Sequence, residues 1–381
     1  MLETPVSEIQ GEKKSKLKNK FLILGVILGI SILGGVISAL ATRIWDPLWN
    51  PFRPTPQEVI KRMKIETSKL KTLTQEVNFS GNLEGEEGKT NFSFKGSEKI
   101  NQAQPDNLQS EGTFDISISF TPTKKEFGLM GMGIKFSLAG ESKYLDEKLY
   151  LKFTTLPSIP FFNLTPIKNV WIRFDEESFN ELLREFSQYN LSQPLEDLEK
   201  QKKKQKEVQK RIREIIKNAN IIVVKKELPD ETIGAEKVYH YLIALDRKEL
   251  SRAVSECIKA YEEAIESEIG TGMIEDEEEL KNSLEKFLNK IGDIEGEIWI
   301  GKRDYLLYKL KIEKDINLKN FNEEGMLSLR FLMINSDFNS PVKVTPPAKY
   351  KTLKEVFEIL FSSFLKKEPE PLPLYPNSSS F

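Results

Sequence analysis

The sequence predicts an α+β body, an antiparallel sheet with helices on one face, preceded by one N-terminal transmembrane helix. Three patterns predict it. An unbroken apolar run covers residues 21–42, apolar and polar residues alternate with period two from Glu76 to Phe174, and helical spacing interrupts the later strands.

The apolar run comes first. Phe21 to Thr42 as a helix rises roughly 33 Å at about 1.5 Å per residue, enough to cross a hydrocarbon core of about 30 Å. Lys13, Lys14, Lys16, Lys18 and Lys20 precede it and make residues 1–20 a basic cytoplasmic tail, with everything after Arg43 on the other side of the cell membrane. Trp45, Trp49 and Phe52 then fall where an interfacial aromatic belt is expected. The rival reading is a signal peptide cleaved after Ala41, because Ala39-Leu40-Ala41 has the small-x-small form. The length of the run and its Gly25, Gly29, Gly34 and Gly35 favour a retained span.

Composition bounds the remainder. Of the whole chain, 30% is charged, yet the formal net charge is only -2, so no large field selects nucleic acid. Cys257 is the single cysteine, which excludes an internal disulfide and places stability on packing. Its neighbours Leu250, Ala253, Val254, Tyr261 and Ile265 put it on the apolar side of a helix, as a core residue. Thr42 and Arg43 stand where a bacterial lipoprotein would need its lipid-bearing cysteine.

Residues 43–55 hold Pro47, Pro51 and Pro54, with Pro56 next, and read as a stiff stalk. A helix with Val59, Ile60 and Met63 on one side starts at Pro56. The alternating segment follows as a meander of half-buried strands, its turns marked by Gly81, Gly85 to Gly88, Gly112 and Gly140. One face of these strands carries Phe114, Ile116, Ile118 and Phe120, then Ile134, Phe136 and Leu138, then Leu149, Leu151 and Phe153. Asn169 to Phe174 is another strand, ending at Asp175 as N-cap of a helix bearing Phe179, Leu182, Leu183 and Phe186.

Leu195 to Asn218 is a basic helix with a thin apolar stripe, a solvated face or a contact for anionic head groups. Strands 221–226 and 237–245, helices 248–268 and 277–291, and strands 294–301, 306–313 and 325–334 complete the body. A last amphipathic helix follows Thr352, and residues 367–381 form a disordered proline-rich tail. Helices between antiparallel strands point to one covered face, the phenylalanine-rich one.

Asn169-Val-Trp-Ile-Arg-Phe-Asp175, leading into a helix, resembles the tryptophan strand of the LolA/LppX-like lipoprotein-carrier family. Val238-Tyr-His-Tyr-Leu-Ile-Ala-Leu-Asp246 is similar to its next strand-helix unit, and Glu297-Ile-Trp-Ile-Gly-Lys-Arg-Asp304 with Tyr308-Lys-Leu-Lys-Ile-Glu313 to its late tryptophan hairpin. The resemblance covers roughly residues 56–345, within one extracytoplasmic domain over residues 56–366. It implies a curved half-barrel with helices in its concavity and an apolar cavity for acyl chains. It carries no ligand motif by position, and a retained span is unlike a free shuttle.

Two apolar loops fit the mouth of such a cavity. One holds Leu129, Met130 and Met132, the other Ile159, Phe161, Phe162 and Leu164. Folding back on the core is the plain alternative for both. Catalysis and metal binding lack a motif: His240 is the only histidine, within a strand, and no nucleophile elbow surrounds a serine. No catalytic residue, metal site or cofactor is expected, and His240 reads as structural. The expectation is a membrane-tethered extracytoplasmic protein that holds or presents lipid or another hydrophobic ligand. Its rival is an envelope signalling or scaffold module with a packed core and a protein partner.

Overall fold

The computed structural model describes residues 48–104, 107–123, 133–159, 163–175, 177–179, 195–269 and 277–365. The chain divides into a unit over residues 1–59 and a second over 60–381. In the first unit, the described residues open with turns: the Asn50 side chain accepts the Phe52 N–H at 3.0 Å and its carbonyl accepts that of Arg53. Thr55 then caps helix α1 (Pro56–Thr67), its hydroxyl accepting the Glu58 N–H at 3.3 Å. The expected span 21–42, the tail 1–20, the start of the stalk and the tail 367–381 lie outside the described residues. Among those that are described, no helix is long and apolar enough to cross a membrane.

The second unit is built on one open sheet of twelve strands. β1 (Thr72–Gly85), β2 (Gly88–Asn101), β3 (Gln109–Pro122), β4 (Ile134–Leu145), β5 (Lys148–Thr155) and β6 (Trp171–Phe174) form the expected antiparallel meander. β7 (Ile222–Ile233), β8 (Glu236–Leu245), β9 (Glu295–Gly301), β10 (Leu307–Asn317) and β11 (Gly325–Ser336) form a second meander, which joins the first through β11 against β1. The short β12 (Lys351–Thr352) pairs parallel with β6, giving the order β12-β6-β5-β4-β3-β2-β1-β11-β10-β9-β8-β7.

Two expectations about glycine and cysteine are corrected. Gly85 and Gly88 do border the β1–β2 turn, but Gly81, Gly112 and Gly140 sit inside strands. They serve close approach instead: a Cβ on Gly81 would lie 2.1 Å from the Phe92 ring, and one on Gly112 or Gly140 would lie 2.3 Å from a carbonyl oxygen of the neighbouring strand. The β4–β5 turn is made by Asp146 and Glu147, both left-handed at φ 51 and 60. Cys257 is half-buried rather than core.

Helix α2 (Leu195–Asn218) packs on α3 (Arg247–Ile269), and α3 on α4 (Glu277–Ile291). α3 buries small residues on two opposite sides, Ser251 with Ser255 and Ala253 with Ala260, while Tyr261 is exposed. Close helix packing selects small side chains there: the Ser251 hydroxyl donates to the Lys281 carbonyl of α4 at 3.1 Å. α5 (Leu353–Leu365) lies against β6 and β12.

The core concentrates at the two ends of the sheet. At one end Tyr239, Tyr241, Ile243, Ile298 and Ile300 are fully buried. Tyr239 meets the ring of Tyr305, over which Arg62 of α1 lies at 5.0 Å. At the other end Ile167, Ile172 and Val356 form a cluster, joined by Phe153, Leu164, Phe174 and Leu360. Between these ends the apolar side chains of β1 to β4 are half-buried or exposed, except Leu73 at the start of β1 and Leu145 at the end of β4, which are buried.

Candidate functional site

Directly opposite residues of antiparallel strands point to the same face, so the register decides which side chains meet. Phe120 opposes Ile134, Ile118 opposes Phe136, and Ile116 opposes Leu138. Phe114 opposes Gly140, which opposes Phe153, and Leu151 and Leu149 follow in step on β5. All ten expected face residues therefore share one side of the sheet. The same side continues through Phe94 and Phe92 of β2, Phe79 of β1, and Phe331 and Met333 of β11.

Glycines shape this face. Phe114 reaches across to Gly140 and meets the edge of Phe153 with ring centroids 6.2 Å apart. Phe92 lies over Gly81 and tilts against Phe79 at 5.5 Å. The tips of large rings thus reach over bare backbone. Ile118 stays 44% exposed and Ile134 62% exposed, which leaves apolar surface in the middle of a face buried at both ends.

Of the expected mouth residues, Leu129, Met130, Met132, Phe161 and Phe162 lie outside the described residues. Ile159 is exposed. Leu164 belongs to the core cluster of Ile167, Ile172 and Val356, so this part of its loop folds back. Asp175 caps as expected, its carboxylate accepting the Ser178 N–H at 2.8 Å. Burial raises its pKa, but bonds from Ser178 and the Arg173 charge outweigh that and hold it below the usual carboxylate value.

The opposite face is polar and carries a groove of about 550 Å³. Two cross-strand rows of side chains flank it. Asn78, Lys95, Asp115 and Ala139 oppose one another along the first, and Glu76, Ser97, Thr113 and Glu141 along the second. Of the ten expected face residues only Phe114 borders this hollow, through the strand backbone between the two rows. The groove was missed in the sequence because alternation identifies a polar side without saying whether it is hollow.

His240 also lies on the polar face, buried beside Trp299 with ring centroids 4.4 Å apart. Its Nε2 is 2.8 Å from Glu297 and its Nδ1 3.1 Å from Glu231. The Trp299 indole N–H donates to Glu231 at 3.0 Å, and Lys309 covers the indole at 4.1 Å. These contacts tie β7, β8, β9 and β10 together. Among the described residues no group of histidine, cysteine and carboxylates could hold a metal ion.

No protein-family model matches this chain, and no curated protein matches it. Among solved structures, LprF from Mycobacterium bovis aligns over 78% of this chain and 99% of its own at 12% identity and a TM-score of 0.32. The Mycobacterium tuberculosis lipoprotein LppX aligns over 76% and 100% at 10% identity, with a TM-score of 0.31. A putative outer membrane lipoprotein-sorting domain from Vibrio parahaemolyticus aligns over 75% and 93% at 10% identity, with a TM-score of 0.18. These are proteins of the kind the tryptophan motifs resemble.

Proposed function

We propose that this protein is held in the cell membrane by residues 21–42 and uses its extracytoplasmic body to hold or present a lipid or another hydrophobic ligand. The observation that carries the reading is the continuous apolar face, closed by packed cores at both ends and left partly open over β3 and β4, where Ile118 and Ile134 are exposed. Each methylene moved from water onto such a surface contributes about 0.8 kcal/mol, so a single acyl chain supplies ample affinity. Orientation needs no specific polar partner. The tether keeps the body beside one membrane, which suits holding and presenting rather than ferrying.

Native mass spectrometry of the full chain released from detergent tests this. Bound lipid that persists after detergent removal is expected. A bare mass together with no uptake of an apolar dye overturns it and leaves an anchored recognition module for another envelope protein.

A further inference from the structure

Helix α2 carries a surface that the sheet does not use. Over residues 199–217 nine lysines and arginines stand against three glutamates, although the whole chain has a net charge of only -2. The charge is sorted by side. Val208, Ile212 and Ile215 are half-buried at helical spacing, while Lys210, Arg213 and Lys217, also at helical spacing, lie on the opposite side and are exposed. The same spacing carries the basic row back through Lys206 to Lys203, with Glu199 at its far end and Glu207 and Glu214 to one flank. From Lys203 to Lys217 the row is about 21 Å long at about 1.5 Å per residue. Among the described residues Lys210, Arg213 and Lys217 make no hydrogen bond or ion pair, whereas Arg211 is taken by Glu263 of α3.

What this row meets depends on where the helix ends. Lys64 of α1 donates to the Ala219 carbonyl at 2.8 Å and to the Asn220 side chain at 3.3 Å, just past the last turn of α2. The stalk enters α1 at Pro56, about 12 Å of helix before Lys64. The end of the basic row is therefore bonded to the helix that the stalk feeds. A stalk over residues 43–55 reaches at most about 45 Å when fully extended, so a span at 21–42 keeps a bilayer within range of every copy. Trp49 and Phe52 of the stalk are 63% and 50% exposed, as suits side chains at head-group level. A straight basic row has a flat polyanion as its complement, and the tether supplies one.

We propose that the outer side of α2 docks on the surface of an anionic bilayer, through the row that includes Lys210, Arg213 and Lys217. The inference rests on the membrane tether proposed above and not on lipid binding by the apolar face. Each basic residue near such a surface strengthens the attraction about fivefold, and salt screens it.

The test is acetylation of surface lysines, read by mass spectrometry, on the full chain reconstituted in phosphatidylcholine vesicles and in vesicles of three parts phosphatidylcholine to one part phosphatidylglycerol. Lys210 and Lys217 should react at least threefold more slowly in the anionic vesicles, and about 1 M salt should erase the difference. Lys95, exposed on the polar face of the sheet, is the control and reacts alike in both. Arg213→Glu, shown to fold by circular dichroism, should lower the protection of Lys210 and Lys217 at least twofold. The docking face is overturned if the two lysines react alike in both vesicles, if phosphatidylcholine alone protects them as well, or if polyaspartate at equal negative charge strips the protection, which assigns the row to an acidic protein. Flotation in about 1 M salt reads the tether by itself. A chain that leaves phosphatidylcholine vesicles there overturns the tether and this inference with it, and one that stays leaves the lysines to decide the docking face.

Discussion

Glu236 shows how one residue fixes a hairpin. It begins β8, almost fully buried, and Arg303 donates to both its oxygens, through Nε at 3.0 and 3.1 Å. These hydrogen bonds, opposed by burial and helped by the guanidinium charge, hold its pKa below the ordinary glutamate value. A depressed carboxylate stabilises the folded state above its unfolded pKa, and that contribution is lost as pH falls through the folded value. Glu236→Gln should therefore melt below the parent at neutral pH, with the gap closing toward pH 3. Calorimetric melts across that range check it, and a gap independent of pH would contradict it. The partner could not be read from sequence, since Arg303 lies far along the chain. The partners of His240 were not legible either, since Glu231 lies on β7 and Glu297 and Trp299 on β9.

At the scale of elements, most strands and helices were legible because their periods are strict. The exceptions have physical causes. Strand β7 runs on past Lys226 to Ile233 through Pro229 and a cluster of charges that look like a strand end. It tolerates them as an edge strand, with register shifts at Val224/Lys226 and Leu228/Glu231 that carry the proline outside the ladder. The in-strand glycines misled for the opposite reason: turn chemistry and close backbone approach select the same residue. Their costs should differ. Gly112→Ala forces a methyl against the Ser97 carbonyl and should cost about 1–3 kcal/mol, whereas Gly81→Ala meets only the swinging end of Phe92 and should cost less. Urea unfolding of both variants measures the order.

For the whole molecule, the register turns ten scattered apolar residues into one surface, and the period of two made that surface legible in advance. Its coverage was not. Helices were expected along the face, and the described ones bury its ends, because which helix meets which strand depends on connections that alternation does not encode. Ile118→Glu tests the open middle. At 44% exposure the substitution should change stability by no more than about 1 kcal/mol, yet it should cut bound lipid at least tenfold by placing a charge among Phe92, Phe136 and Ile134. Native mass spectrometry beside urea unfolding separates the two effects, and unchanged lipid occupancy would count against this face as the binding surface.

The position of β1 at the centre of the sheet, between β2 and β11, has a consequence for biogenesis. A ribosome making this chain delivers β1 and its hairpin mate early, then leaves the other flank of Thr72–Gly85 bare until Gly325–Ser336 emerges. During that wait the nascent protein carries a long unpaired edge, the template on which stray chains assemble. Slow maturation and a demand for chaperones are thus written into where the first strand ends up.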